Sequence, residues 1–368
     1  MTGFLKGADV STLRELEGLG VRYRDRGQER DLLELLSGYG FNAIRLRLWN
    51  DPCTASGEGY GGGGNDLATT VGLARRVRAR GLELLLDFHY SDFWADPGKQ
   101  LLPKAWRGLD DAGLEVAVHE LTRRSLLALR GAGALPTMVQ VGNELTNGLL
   151  WPNGKRPAFG AIARFVNAGI RAVRSVSPDI RVMIHLDNGG NNALYREWFD
   201  RYLEEGGEDF EVMGLSYYPY WHGTLDDLER NLGDMAARHG KELVVVETAT
   251  GFTTEDYADR EGLPPSRRKG MATKPELVAR LEHPMTVQGQ CDFLRELIAR
   301  IRRVPGGLGK GFFYWEPAWV PVRGSGSATE AGLAYTGEQG PGGNEWANQG
   351  LFDYDGNALP ALEVVRDS

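Results

Sequence analysis

Cysteine is scarce in this chain of 368 residues, which contains only Cys53 and Cys291. The two lie far apart and form no Cys-x-x-Cys pair, so the sequence indicates neither a disulfide framework nor a cysteine-rich metal site. No apolar run of about 18 residues or more is present, which argues against a membrane-spanning helix. The start of the chain lacks the features of a signal peptide. As written it would be cytoplasmic, or secreted if a signal has been removed.

Basic residues are not concentrated in any block, and 42 Lys and Arg stand against 50 Asp and Glu, for a net charge of -8. Nucleic acid is therefore not expected as a partner. Hydrophobic residues at 42% and charged residues at 25% are ordinary globular proportions, which excludes disorder as the main state. No apolar surface stripe is evident, so a monomer is expected.

The motifs of several enzyme classes are also absent. There is no His-Glu-x-x-His pattern for a catalytic zinc and no Gly-x-Ser-x-Gly elbow for a serine hydrolase. A phosphate-binding glycine turn between the first strand and helix is missing, which disfavours a doubly wound nucleotide-binding sheet. The glycines at 59 and 61–64 follow the second predicted strand, and Asn65 or Asp66 could cap the next helix.

Short apolar runs alternate with helical patterns along the chain, which predicts parallel strands joined by crossover helices. Eight units fit a single-domain (β/α)₈ TIM barrel of class α/β spanning residues 1–368, with elaborated loops after strands 2, 3, 7 and 8. The predicted strands are Phe4–Val10, Ala43–Leu48, Leu82–Phe88, Thr137–Val141, Arg181–Leu186, Val212–Tyr217, Leu243–Val246 and Gly311–Trp315. The predicted helices are Glu29–Leu36, Leu67–Arg80, Glu115–Arg130, Ala158–Val176, Leu225–Ala237 and Val287–Arg302.

The predicted strand ends are unusually polar, and in a TIM barrel the reacting groups lie at that end. They carry Asp9; Arg45, Arg47, Trp49 and Asp51; Asp87, His89, Asp92 and Trp94; Asn143 and Glu144; His185 and Asp187; Tyr218, Trp221 and His222; Glu247; and Trp315, Glu316 and Trp319.

Glu144 and Glu247 follow the fourth and seventh strands, which lie across the barrel mouth from each other. Two carboxyl groups so placed suit retaining glycoside hydrolysis, with one as nucleophile and one as acid/base. The alternative is a purely structural salt bridge to an inward arginine such as Arg45. The two interpretations are compatible, because an arginine beside the nucleophile helps to keep it ionised.

Eight of the nine tryptophans are predicted to lie at strand ends or in the segments that follow, where indole faces could stack on sugar rings. They are Trp49, Trp94, Trp106, Trp151, Trp221, Trp315, Trp319 and Trp346, whereas Trp198 falls in a predicted helix. Two or three of the eight are expected to be packing residues. His89, His185 and His222 could bind hydroxyls or set the charge of the two glutamates.

Longer motifs resemble the endo-β-1,4-galactanases of glycoside hydrolase family 53, from about residue 7 to Leu362. The motifs are Gly-Ala-Asp-Val-Ser at 7–11, Ile-Arg-Leu-Arg-Leu-Trp-Asn-Asp-Pro at 44–52, Gly-Tyr-Gly-Gly-Gly at 59–63, Asp-Phe-His-Tyr-Ser-Asp-Phe-Trp-Ala-Asp-Pro at 87–97, Val-Gln-Val-Gly-Asn-Glu at 139–144, Ser-Tyr-Tyr-Pro-Tyr-Trp-His-Gly-Thr-Leu at 216–225, Val-Glu-Thr at 246–248, Pro-Met-Thr-Val-Gln-Gly-Gln at 284–290 and Phe-Tyr-Trp-Glu-Pro-Ala-Trp at 313–319.

The resemblance implies a TIM barrel of the large retaining clan that cuts the β-1,4-galactan of type I arabinogalactan. It implies Glu144 as acid/base and Glu247 as nucleophile. Asn143 would contact the sugar 2-hydroxyl, Arg45 and Tyr218 would hold Glu247, and His89 and Trp315 would line the cleavage subsite. The substrate-binding set predicted on this basis is Arg45, Asp87, His89, Trp94, Asn143, Tyr218, Trp221 and Trp315.

Two stretches depart from the family pattern. Residues 253–265 lack the closely spaced Asp and Gly of the calcium loop found in many bacterial relatives, and the loop Arg323 to Asn348 is rich in glycine. We therefore expect no organic cofactor and no required calcium, and no product length follows from the resemblance. The alternatives are another endo-glycanase of the clan, such as a mannanase or cellulase, and a noncatalytic galactan-binding protein.

Overall fold

Eight parallel strands close into a barrel in the part of the chain that the structure describes. The structure is a computed structural model, and it describes residues 3–260, 262, 273–340 and 342–368. The strands are β1 Leu5–Asp9, β2 Ala43–Leu48, β3 Glu83–Phe88, β4 Met138–Val141, β5 Arg181–Leu186, β6 Val212–Ser216, β7 Glu242–Thr248 and β8 Gly309–Trp315. Each pairs with its neighbours in chain order, and β8 pairs with β1. The predicted TIM barrel is confirmed, with strand bounds within two residues of the predicted ones.

Helices surround the barrel, and several begin at an acidic or hydroxyl side chain that caps them. They are α1 Leu13–Gly18, α2 Leu32–Gly38, α3 Leu67–Ala79, α4 Asp111–Gly131, α5 Phe159–Val176, α6 Asn192–Glu204, α7 Leu225–His239, α8 Tyr257–Arg260, α9 Pro275–Val278, α10 Val287–Arg302, α11 Glu330–Thr336 and α12 Ala361–Asp367. The cap of α3 is Asp66, whose carboxylate accepts the Thr69 N–H. Among the described helices, none is both long and apolar enough to cross a membrane.

Two predicted helices were wrong at their starts: α4 begins at Asp111 rather than at Glu115, and α2 begins at Leu32 rather than at Glu29. Residues Gln28–Arg30, part of which was assigned to the helix Glu29–Leu36, form a hairpin strand with Tyr23–Asp25. The helix begins at Leu32 because the side chain of Asp31 accepts the Glu34 N–H as an N-cap. A second small hairpin, Gly148–Leu149 with Gly154–Lys155, elaborates the loop after β4, which the sequence analysis had not singled out.

The barrel interior changes from apolar to charged along the strands. On β2 the alternate residues are Ala43, Arg45 and Arg47, so side chains facing the interior become more polar toward the carboxyl end. The lower layer is an apolar cluster of Leu5, Ala43, Leu85, Met138, Met183, Val212, Val244, Val246 and Phe313. Gly7 leaves room for the Phe313 ring, since a Cβ there would lie 2.3 Å from it. The charged groups at the mouth therefore lie directly above this apolar layer, which keeps water from reaching them through the barrel interior.

Candidate active site

A cavity of about 490 Å³ opens at the carboxyl end of the barrel. It is lined by Arg47, His89, Trp94, Ala95, Asp96, Pro97, Lys99, Asn143, Glu144, Asp187, Tyr218, Trp221, His222, Glu247, Trp315, Ser327, Ala328, Glu338, Glu345, Trp346 and Gln349. Eight of the ten predicted site residues are among them. The other two, Arg45 and Asp87, lie directly beneath.

Glu144 and Glu247 face each other across this cavity. One carboxylate oxygen of Glu144 lies within 4.8 Å of one of Glu247, and both residues are buried to within a tenth of their surface. A bulge in the β6–β7 pairing brings Glu247 into register with Ser216, one residue beyond the regular ladder. Bulges of this kind re-aim side chains at the rims of barrels. The short separation fits a nucleophile and acid/base pair better than the wider spacing of inverting enzymes.

Glu247 is held by a cation and a phenol. Arg45 Nη1 lies 2.8 Å from Glu247 Oε1, and the Tyr218 hydroxyl donates to Oε2 at 3.1 Å. Both contacts expected of Arg45 and Tyr218 are present. Burial raises the pKa of Glu247, and the positive charge of Arg45 opposes that rise. Asp87 and Asp9 also raise this pKa, and Arg45 is the strongest of the groups that favour the ionised form of Glu247.

Arg45 and Asp87 are fully buried under the cavity and do not line it. Arg45 also contacts Asp9 at 3.0 Å and Asp87 at 2.8 Å, and donates to Asn143 Oδ1 at 2.9 Å. Although burial disfavours the charged carboxylate, Arg45 and His89 lower the pKa of Asp87. Arg45 is thus placed to orient Glu247 and Asn143, and Asp87 holds Arg45 and His89 in turn.

Glu144 has the opposite surroundings. Its backbone adopts the left-handed conformation, with φ 48° and ψ 58°, which a non-glycine residue rarely adopts and which turns the side chain into the cavity. Ser216 Oγ donates to Glu144 Oε1 at 2.6 Å. Burial, followed by the negative charges of Glu247 and Asp187, raises the pKa of Glu144 well above its usual value. This carboxyl is therefore suited to holding a proton at neutral pH.

The comparisons with known proteins agree with this geometry. Residues 5–365 match the sequence profile described as Glycosyl hydrolase family 53. The chain belongs to that family.

Its relatives in family 53 match along almost the whole chain. The endo-beta-1,4-galactanase of Bacillus subtilis (strain 168) is 37% identical, covering 99% of this chain and 85% of that protein. The arabinogalactan endo-beta-1,4-galactanase of Humicola insolens is 34% identical, covering 98% of both. Among solved structures, the Ignisphaera aggregans GH53 catalytic domain superposes with a TM-score of 0.90 at 39% identity, covering 99% of this chain and 95% of that one.

Of the eight tryptophans that were predicted to follow strands in this family 53 chain, four line the cavity and four do not. Trp94, Trp221, Trp315 and Trp346 line the cavity, and Trp221 is 39% exposed. Trp49, Trp106 and Trp319 are buried packing residues, and Trp151 lies outside the cavity under the Lys155 ammonium. One face of Trp94 is covered by the guanidinium of Arg47 at 4.4 Å, and the Trp94 ring also meets Trp49 in a T-shaped contact at 5.1 Å.

Several residues at the family 53 site were missed by the sequence analysis. Ser216 and Gln140 lie within the motifs at 216–225 and 139–144 but were assigned no role. Both belong to the inward period of their strands, the signal that could have identified them. Lys99, which contacts Asp96 and also Glu338 at 2.8 Å, joins the loop after β3 to the loop after β8. Nothing in the sequence pattern links those two segments.

Within the described residues, the one cluster with the spacing of a metal site is Glu144, His185 and Glu247. Each has protein partners: Ser216 for Glu144 and His185, and Arg45 for Glu247. Burial lowers the pKa of His185 well below its usual value. The calcium-loop comparison falls on residues 253–265, of which 261 and 263–265 lie outside the described residues.

Proposed function

We propose that this chain is a retaining endo-β-1,4-galactanase acting on galactan and type I arabinogalactan, with Glu247 as nucleophile and Glu144 as acid/base. The observation that carries the proposal is the pair itself: two buried carboxyl groups with oxygens within 4.8 Å of each other. Arginine favours charge on one, and acidic neighbours favour a proton on the other. These are the protonation states that double displacement requires at its start.

In the first step, Glu247 attacks the anomeric carbon while Glu144 transfers its proton to the departing glycosidic oxygen. This yields an α-configured galactosyl ester on Glu247, and the leaving group departs as a neutral alcohol. Arg45 and Tyr218 contact the oxygens of Glu247 and keep the attacking carboxylate oriented. In the second step Glu144, now ionised, removes a proton from water as the water attacks the same carbon, which restores both residues and the original configuration.

Galactan as the substrate is supported by the two named relatives and by the cavity walls. Trp94, Trp221 and Trp315 offer aromatic faces to sugar rings, whose hydroxyls need polar partners. Asn143 and His89 supply such partners beside the glutamate pair. The Asn143 Nδ2 group donates to the Ala95 carbonyl at 2.8 Å, and its second hydrogen remains to bind the sugar 2-hydroxyl.

Both the covalent bond and the proton come from side chains, so the proposed chemistry includes no cofactor. We further propose that the whole chain acts as one catalytic domain. A single cooperative calorimetric transition is expected for it.

Digestion of linear β-1,4-galactan with product sizing tests the proposal. We expect oligosaccharides to appear early, with an initial β-configured product, and little release from linear mannan or cellulose. Faster cleavage of mannan or cellulose would favour the alternative glycanases. Binding of galactan with no turnover would favour a noncatalytic protein.

A further inference from the structure

A chain of hydrogen bonds leads from the barrel interior to Glu144. Its members are Gln140 of β4, His185 of β5 and Ser216 of β6. His185 Nε2 lies 2.8 Å from Ser216 Oγ, which in turn lies 2.6 Å from Glu144 Oε1. His185 and Ser216 are fully buried and do not line the cavity.

The positions of the protons along this series of hydrogen bonds follow from the donors around His185. Its Nδ1 atom receives the backbone N–H of Glu144 at 3.3 Å and faces Gln140 Nε2 at 3.0 Å. A backbone N–H cannot reverse its direction, so Nδ1 is the acceptor nitrogen. Asn143 Oδ1 also lies 3.0 Å from Nδ1, but both atoms are acceptors, so no hydrogen bond joins them.

The neutral ring then carries its single proton on Nε2, which donates to Ser216 Oγ. The low pKa of His185, caused by burial and then by the charge of Arg45, supports the neutral state. Among the described residues, the Ser216 hydroxyl has His185 and Glu144 as its partners. Since His185 donates to it, the hydroxyl gives its own hydrogen to Glu144 Oε1.

We propose that Ser216 and His185 are positioning residues for the acid/base: they hold Glu144 Oε1 as a hydrogen-bond acceptor, and so assign the transferable proton to Oε2. The inference rests on the proposed function, because it assigns a role to groups beside the proposed acid. In the first step the proton leaves Oε2 for the glycosidic oxygen. The resulting carboxylate keeps the Ser216 hydrogen bond, which stabilises the charge that develops there.

The groups that face Glu144 from other elements set its charge balance. They are Glu247 of β7, His185 of β5, Asp187 directly after β5, Asp96 in the loop after β3, and the Tyr218 hydroxyl after β6. The three carboxylates favour the protonated form of Glu144, whereas the Ser216 hydrogen bond favours the ionised form. Removing that hydroxyl should therefore raise the pKa of Glu144 further and make it a weaker acid.

The test is the Ser216→Ala variant, assayed against galactan and against an activated aryl β-galactobioside whose leaving group departs without protonation. The basic limb of kcat/KM should move up by about one pH unit, because a hydrogen bond to a charged group is lost. We expect kcat on galactan to fall roughly tenfold with KM nearly unchanged. Glycosylation by the activated substrate should stay near the wild-type rate.

Ser125→Ala is the matched control, since Ser125 is also fully buried but lies on α4, away from the cavity. Its pH profile should equal that of the wild type. Ser216→Thr, which keeps the hydroxyl, should restore the basic limb. Should Ser216→Ala fold poorly, His185→Phe should move the limb in the same direction by a smaller amount, because Ser216 loses the donor that orients it.

The positioning role alone would be overturned if the wild type cuts galactan but Ser216→Ala and His185→Phe do not change the pH profile. The dependence of the rate on the leaving group would then also equal that of the wild type. A wild-type enzyme that leaves galactan uncut would overturn the proposed function instead.

Discussion

Glu247 and Glu144 each follow a strand of the same barrel, yet their surroundings differ in charge. Glu247 contacts the guanidinium of Arg45 and the phenol of Tyr218, whereas Glu144 contacts the neutral hydroxyl of Ser216 and faces Asp187 and further acidic groups. Both are buried, so the loss of hydration is similar for the two. Burial raises the pKa of both, and Arg45 opposes that rise at Glu247 alone, so neighbours from other strands, and not position at a strand end, make the two glutamates differ.

Replacing Glu247, the residue beside Arg45, should have the largest effect on activity. The Glu247→Ala variant loses the proposed nucleophile, so turnover of galactan should fall by about 10⁴-fold or more. Azide added to this variant can attack from the vacated side and should give a galactosyl azide of inverted configuration, detected by NMR. Retained azide from this variant would exchange the two assignments.

The Glu144→Ala variant tests the other half of the pair. Galactan turnover should fall by about 10²–10⁴-fold, the usual contribution of general acid catalysis. Aryl galactosides with good leaving groups should still form the covalent intermediate, and added azide should intercept it as the retained β-azide. An α-configured initial product from the unmodified enzyme would exclude the retaining mechanism for both residues.

Replacing Arg45 should make the surroundings of Glu247 and Glu144 more alike in charge. In Arg45→Met the cation beside Glu247 is lost, its pKa should rise, and the acid limb of kcat/KM should move to higher pH because the nucleophile must be ionised. Asp9 and Asp87 also lose their buried partner, which should lower the free energy of unfolding by about 3–5 kcal/mol. Arg45→Lys keeps the charge and should show a smaller shift of the limb. An unchanged acid limb in the Met variant would show that Arg45 does not control the charge state of Glu247.

Asp187→Asn, which removes a negative charge near Glu144, should have a smaller effect on activity. Burial raises the pKa of Asp187 to about 6, so above that pH its charge favours a proton on Glu144. Without the charge, the pKa of Glu144 should fall and the basic limb of kcat/KM should move to lower pH, measured with galactan across the full profile. Asp209→Asn removes the same charge from a side chain that is 85% exposed, just before β6, and should leave the profile unchanged. A shift to higher pH in Asp187→Asn would contradict this account.

The smallest effect is expected from a chelator. A divalent cation held by Glu144, His185 and Glu247 would give both glutamates a positive neighbour and remove the contrast. We expect EDTA to change neither galactan turnover nor Tm, since each of the three has a protein partner. Loss of activity that calcium restores would show that a cation contributes to the fold or the site.

Much of the architecture followed from local sequence patterns. Ala43–Leu48 and Arg181–Leu186 are strands with the predicted bounds, because every second residue in each is apolar and buried. The helix assigned from Glu29 was wrong at its start because Glu29 and Arg30 suit either a helix or a short hairpin, and the pairing with Tyr23–Asp25 selected the hairpin. Its true beginning was set by a cap at Asp31.

The barrel, the family and the two strand-end glutamates could be predicted from the order of residues along the chain, since each depends on contiguous segments. How those glutamates differ depends on contacts that form only in the folded barrel. Arg45 and Ser216 come from β2 and β6, and their contacts with Asn143, Glu144 and Glu247 join residues far apart in the chain. Protonation in a buried site depends on distances among such groups and on the exclusion of water, and barrel closure sets both.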